Sequence, residues 1–167
     1  MSAPFWAPVS RRTKVIGWRE WIGLPDIGIA SLKAKVDTGA RTSALHTVDL
    51  MTFKKNGQPW IEFRVPHADL PKGTRCSAPI LDERDIKNTG GQVERRYVIE
   101  TMLVLGDLAW RAEFSLANRE TMGFEVILGR TAIRRHRLGV DPGRSFLAGS
   151  PRHRPHPPAD TGSRARA

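Results

Sequence analysis

The sequence predicts an all-β domain of about seven to ten strands with one short helix. Twelve prolines and fifteen glycines are spread along 167 residues, which favours short strands and turns over long helices. Runs rich in Val, Ile, Tyr and Thr alternate with Gly, Asn and Asp turn signals. Only residues 130–137 carry a helical pattern, and it is short.

Taken in order, the first strand is expected over residues 13–18, with Val15 and Ile16 ahead of Gly17. Gly23-Leu24-Pro25-Asp26 reads as a turn. Residues 29–36 form the next strand, whose apolar character comes from Ile29, Leu32, Ala34 and Val36, and it runs directly into Asp37-Thr38-Gly39. Residues 43–48 alternate weakly. The clearest local signal is a hairpin of residues 51–55 and 59–65 about Asn56-Gly57, a dipeptide that tolerates the positive φ angles of a type I′ turn. Residues 66–73 are a loop, and 74–81 a short strand at best, weakened by Pro79. A polar turn at 87–91 precedes the longest β segment, 92–105, which turns at Gly106-Asp107 into 108–116. Residues 124–128 are a compact apolar run ending at Gly129, and 138–148 supply a final extended segment. From Ser150 onward the chain is rich in Pro, Arg, His and small residues with little to bury, so a disordered tail is expected.

An apolar fraction of 40% in a chain of this length suffices for one domain with a full core. No apolar run approaches the roughly 20 residues needed to span a bilayer. No signal peptide is expected from Met1 to Ser10, and the single cysteine, Cys76, fits a reducing, cytoplasmic setting. The net charge is +10, of which the segment 151–167 carries four arginines against Asp160. A basic surface attracts acidic partners, RNA and acidic peptide segments included. No RNA-binding motif accompanies the charge, and the five tryptophans are too scattered to form a base-stacking platform, so nucleic acid is not the expected partner.

The motif that carries chemistry is Asp37-Thr38-Gly39-Ala40. An apolar strand delivers Asp37 to a turn where Gly39 permits close backbone approach and Ala40 leaves room for a substrate. Two copies of such a loop, with Thr38 bonding across between them, would set two carboxylates around one water. Like charges at that distance share one proton. One carboxylate can then act as base toward the water while the protonated one polarises a carbonyl. A second motif, Val126-Ile127-Leu128-Gly129-Arg130, lies downstream between a strand and the short helix.

An apolar strand into Asp-Thr-Gly-Ala, followed later by apolar-apolar-Gly-Arg, resembles the pairing seen in retropepsins. The resemblance narrows to one bacterial family of retropepsin-like proteins. It rests on Gly17-Trp18-Arg19-Glu20-Trp21-Ile22-Gly23-Leu24-Pro25 and on Lys33-Ala34-Lys35-Val36-Asp37-Thr38-Gly39-Ala40-Arg41-Thr42-Ser43-Ala44-Leu45. Glu94-Arg95-Arg96-Tyr97-Val98-Ile99-Glu100-Thr101, Ile127-Leu128-Gly129-Arg130 and Val140-Asp141-Pro142 extend it, so that it covers most of the chain. The family has long been labelled "ATP-dependent zinc protease", and some members occur with the RimK-type ligase that adds glutamates to a ribosomal protein.

The resemblance implies a closed retropepsin-like (acid protease) β-barrel with a short C-terminal helix. An N-terminal arm (1–12), a peptidase domain (13–149) and a basic tail (150–167) follow from it. It implies an aspartic endopeptidase that acts as a homodimer. Asp37 is the catalytic carboxylate, and Thr38, Gly39, Ala40, Gly129 and Arg130 support the active-site loop. The substrate is a peptide or protein, and the basic surface favours acidic stretches. No cofactor or metal is expected. A zinc helix needs His-Glu-x-x-His and a P-loop needs Gly-Lys-Ser/Thr, and neither pattern is present. The alternative reading is a catalytically silent retropepsin-fold module that binds a protein or peptide.

Two departures from retropepsins bear on this. The position after Ala40 is commonly acidic there and pairs with the arginine of the Gly-Arg motif. Here it is Arg41, so Arg130 is expected to find another acid among Asp82, Asp85 and Glu94. The longer spacing between the motifs implies an insertion that alters or replaces the mobile flap. For the homodimer, residues 13–18 and 145–148 are expected to pair across the contact. Asp160-Thr161-Gly162 follows no apolar strand and is read as part of the tail, as is His153-Arg154-Pro155-His156. Cys76 is read as an inert small residue and His46 as packing.

Overall fold

The computed structural model describes residues 13–66, 68–88, 90–118 and 123–152. The expected N-terminal arm lies outside these residues, as do His153, His156 and the second Asp-Thr-Gly at 160–162.

The described residues form eleven strands and one α-helix. The strands are β1 (Val15–Gly17), β2 (Arg19–Leu24), β3 (Ile29–Val36), β4 (Ser43–His46), β5 (Val48–Lys55) and β6 (Gln58–Arg64). Then come β7 (Cys76–Lys87), β8 (Val93–Leu105), β9 (Leu108–Ala117) and β10 (Val126–Leu128), α1 (Arg130–Arg134) and β11 (Gly139–Asp141). The chain is mostly strand, as expected. Among the described residues, no helix is long and apolar enough to cross a membrane.

Nine strands make one mixed sheet in the order β2-β3-β10-β4-β9-β8-β7-β6-β5, and β8 also pairs back to β2. Hydrogen bonding therefore runs round a six-strand ring, with β7, β6 and β5 continuing outward from β8. Two pairs within the ring, β3 with β10 and β4 with β9, are parallel. The inward faces pack Leu45, Phe63, Ile99, Leu103, Phe114 and Leu128, each almost wholly buried. Burying side chains of this size contributes about 1.5–3 kcal/mol apiece.

Local chemistry accounts for most of these elements. Along β3, Ile29, Leu32, Ala34 and Val36 are buried while Ala30 and Lys35 are exposed. The β5–β6 turn places Asn56 at φ 50° and Gly57 at φ 75°, the left-handed pair that a two-residue hairpin needs. The strand containing Pro79 is longer than expected, with twelve residues in β7. Pro79 sits where β7 changes partner, pairing with β6 as far as Pro79 and with β8 from Ile80, with a shift before Asp82. A proline that lacks an N–H is tolerated at such a break. The helix is shorter than the expected 130–137, and Arg137 at φ 52° lies in the left-handed region beyond its end.

Residues 13–18 and 145–148, the segments expected at a dimer contact, bond much of their backbone within one chain. β1 pairs in parallel with β11 of the same chain. Trp18 N donates to Arg144 O at 2.9 Å, and Phe146 N to Arg19 O at 2.9 Å. A buried carboxylate fastens this closure. Glu20 is fully buried, and its Oε1 accepts from Gly17 N at 3.0 Å and from Ala148 N at 3.1 Å. Gly17 has no room for a side chain, since a Cβ there would lie 2.5 Å from Arg144 O. The ordered chain continues past Gly149, for Arg152 N donates to Gly106 O at 2.7 Å.

Candidate active site

β3 and β10 run side by side, so the two sequence motifs meet where both strands end. Asp37 N donates to Leu128 O at 2.9 Å. The chain then turns on the Asp37 side chain itself, whose Oδ1 accepts from Gly39 N at 3.0 Å and from Ala40 N at 3.2 Å. That is an Asx-type turn, and it fixes the carboxylate in one orientation. Among the described residues nothing donates to Asp37 Oδ2. Asp37 is half-buried, and Thr38 and Gly39 are exposed at the tip.

The Gly129-Arg130 pair supports the loop from behind. Arg130 N donates to Ala40 O at 2.8 Å, and its guanidinium Nη1 donates to Thr38 O at 3.0 Å and to Gly39 O at 2.9 Å. Thr131 holds Arg41 O through both its N–H and its hydroxyl. Gly129 packs on the chain after the loop so closely that a Cβ would lie 2.7 Å from the carbonyl carbon of Thr42. Gly129 N donates to the buried Ser43 hydroxyl at 3.0 Å. All six residues expected at the site, Asp37, Thr38, Gly39, Ala40, Gly129 and Arg130, thus come together.

The expected acid for Arg130 is not there. Arg130 makes no ion pair among the described residues, while Asp82 pairs with Arg84, Asp85 with Arg95 and Glu94 with Arg96. Arg130 is exposed, so its charge stays hydrated, and its donors are used on backbone carbonyls. An Arg at position 41 therefore leaves no buried charge uncompensated.

Asp37 opens onto a cleft of about 910 Å³. Its floor includes Lys35, Ala44, Ser115 and Ile127, and its far wall is the β7–β8 hairpin with Arg84, Ile86, Glu94 and Arg96. The β5–β6 hairpin lines none of it. Three cations around the cleft, Lys35, Arg41 and Lys87, make no ion pair among the described residues. On the wall, Arg84 Nη1 reaches Glu113 Oε2 of β9 at 2.8 Å and its Nε reaches Asp82 at 2.7 Å. Those hydrogen bonds, Glu113 first, push the Arg84 pKa above its already high ordinary value, and Arg84 in turn holds Asp82 below the usual carboxylate range. Cys76 and His46 are both buried away from this surface, as their reading as packing residues requires. Among the described residues no three of His, Cys, Asp and Glu converge as metal ligands.

Sequence reasoning missed Ser43, Glu20 and the Arg84–Glu113 pair. Glu20 left a trace, because it shares the inward parity of Ile22 and Leu24 along β2. The Arg84–Glu113 contact joins residues 29 positions apart and left none.

Comparison with known proteins places the chain among relatives. A model of the family described as retropepsin-like aspartic endopeptidase RimB matches residues 15–151. A Shewanella halifaxensis protein named "Probable alpha-L-glutamate ligase" is 41% identical over 137 residues, covering 81% of this chain and 30% of its own length. One of the same name from Desulfotalea psychrophila is 44% identical over 131 residues, covering 77% of this chain and 28% of its own. The chain thus spans under a third of these curated relatives. A solved Legionella pneumophila protein of unknown function superposes with a TM-score of 0.69 at 28% identity, covering 81% of this chain and 98% of that one. With residues 15–151 matched by the family model, the chain belongs to the RimB-like family of retropepsin-like aspartic endopeptidases.

Proposed function

We propose that the protein is an aspartic endopeptidase whose active species is a homodimer, with Asp37 of each copy sharing one water. The observation that carries this reading is the state of the Asp37 carboxylate. One oxygen is pinned by two backbone N–H groups, the other has no donor from the described chain, and Asp37 lines the cleft. The pinned oxygen gives orientation, and the free one is available to a water and to a second carboxylate. In a two-fold contact the exposed Thr38-Gly39 tips meet, and one proton is shared between like charges. The ionised carboxylate takes a proton from the water as it attacks the peptide carbonyl. The protonated one hydrogen-bonds the carbonyl oxygen as charge develops there. The tetrahedral intermediate then collapses with protonation of the leaving nitrogen.

Lys35, Arg41 and Lys87 support a substrate with acidic stretches, because unpaired cations in a cleft attract carboxylates. The name of the longer relatives, "Probable alpha-L-glutamate ligase", points the same way, since glutamate carries a carboxylate. The reading places the protein in the cytoplasm. The second reading, a silent peptide-binding module, is favoured by Arg41 standing where an acid is common in retropepsins. Both are tested by incubating wild type and Asp37→Asn with a complex peptide mixture that includes glutamate-rich peptides. The peptidase reading expects cleavage by wild type alone. Binding of the same peptides by both proteins without cleavage supports the module, and cleavage by folded Asp37→Asn removes the catalytic assignment.

A further inference from the structure

The far wall of the cleft is built differently from the rest of the sheet. β8 pairs with β9 only from Val98 to Leu105, and beyond Ser115 β9 continues beside β4 instead. β7 pairs with β6 only as far as Pro79. Residues 83–87 and 93–97 therefore pair only with each other, as a two-stranded arm that projects from the body beyond the Asp82–Val98 pair. An isolated two-stranded ribbon is marginal in water and takes its position from side-chain contacts. Most ion pairs of this arm are internal to it, namely Asp82–Arg84, Glu83–Arg95, Asp85–Arg95 and Glu94–Arg96. Arg84–Glu113 is different, because Glu113 belongs to β9 in the body, where it pairs with Glu100.

We propose that the Arg84–Glu113 ion pair is a latch that holds the β7–β8 arm over the Asp37 cleft and is released by salt or by anions competing for Arg84. Arg84 is suited to this because it holds two acids at once. Its bond to Asp82 keeps the guanidinium oriented when the bond to Glu113 breaks. Both latch side chains are over a third exposed, at 36% and 39%, so ions in solution reach them and the pair is weak enough to open. For a peptidase acting in this cleft, the latch governs how readily a substrate enters beneath the arm. The latch itself does not depend on the peptidase reading.

The test is amide hydrogen exchange of the full chain, read separately in the arm strands and in the ring strands β3, β4 and β10. In Glu113→Gln, arm amides are expected to exchange about two- to fivefold faster, as the strength of a partly exposed pair allows, with the ring unchanged. Asp82→Asn, which removes only the bond inside the arm, is expected to leave arm exchange at the wild-type rate. Wild type brought to ~1 M NaCl, where charges are screened beyond about 3 Å, is expected to behave like Glu113→Gln. Salt also weakens the pairs inside the arm, so if Glu113→Gln does not fold, Glu113→Asp, which withdraws the carboxylate from Arg84, is read in its place. Arm exchange that ignores both Glu113→Gln and salt, or that rises equally in Asp82→Asn, overturns the latch.

Discussion

Replacing Glu20 by alanine removes the carboxylate that joins the β1–β2 turn to the segment near Ala148. Two backbone N–H groups, those of Gly17 and Ala148, lose their acceptor. Both residues are buried, so water does not readily replace it. A buried donor left unsatisfied costs about 1–3 kcal/mol, which gives roughly 2–6 kcal/mol for the pair. Removing a fully buried charge returns part of that, which favours the lower half of the range. At about 2–4 °C per kcal/mol for a domain of this size, the melting temperature should fall by roughly 4–16 °C. Glu20→Gln keeps an acceptor oxygen in reach of both N–H groups and should lose clearly less than Glu20→Ala. Thermal unfolding measures both values, and the Ala148 amide should be among the first to lose exchange protection. A folded Glu20→Ala protein melting within about 2 °C of wild type would show that the contact does not close the domain.

Three further outcomes follow from the site. Arg130→Ala removes the donor that holds Thr38 O and Gly39 O, so peptide cleavage should fall at least about tenfold, while the exposed position limits the stability loss to about 1–3 kcal/mol. Comparing cleavage rate with unfolding midpoint separates the two effects, and full activity in Arg130→Ala contradicts the supporting role. Burial pushes the Cys76 thiol pKa up, so at neutral pH the thiol should resist a disulfide reagent until the protein unfolds, and fast labelling of the native state would contradict its placement in the core. Cleavage should survive strong chelators and need no nucleotide. Loss of activity on chelation, restored by zinc, would mean that the chemistry lies elsewhere.

What was legible in the sequence was mostly contiguous. The apolar alternation of β3 leading into Asp37-Thr38-Gly39 needs only neighbouring residues, and so does the Asn56-Gly57 hairpin. The meeting of this loop with Gly129-Arg130 was legible only as a resemblance, because a parallel pairing of β3 with β10 leaves no local trace. The expectation of an acid beside Arg130 rests on the premise of a buried charge. Its exposure removes the premise, and exposure depends on the fold. Pro79 shortened the expected β7 because a strand proline reads as a break, and here the break is a change of partner within one continuous strand. The closure by Glu20 and the Arg84–Glu113 pair depend on which segments become neighbours in space, a matter of topology that composition and periodicity do not carry.

The central claim is that two Asp37 carboxylates, one from each copy, act together. The measurement that tests it most directly is a subunit-mixing titration. Wild type and Asp37→Asn are mixed in increasing proportion, allowed to exchange subunits, and assayed for peptide cleavage at fixed wild-type concentration. A mixed dimer holds a single Asp37, so at equal proportions activity per wild-type subunit should fall to about half, and it should approach zero with excess variant. Activity per wild-type subunit that stays constant across the titration, with subunit exchange verified, would contradict the paired-carboxylate account.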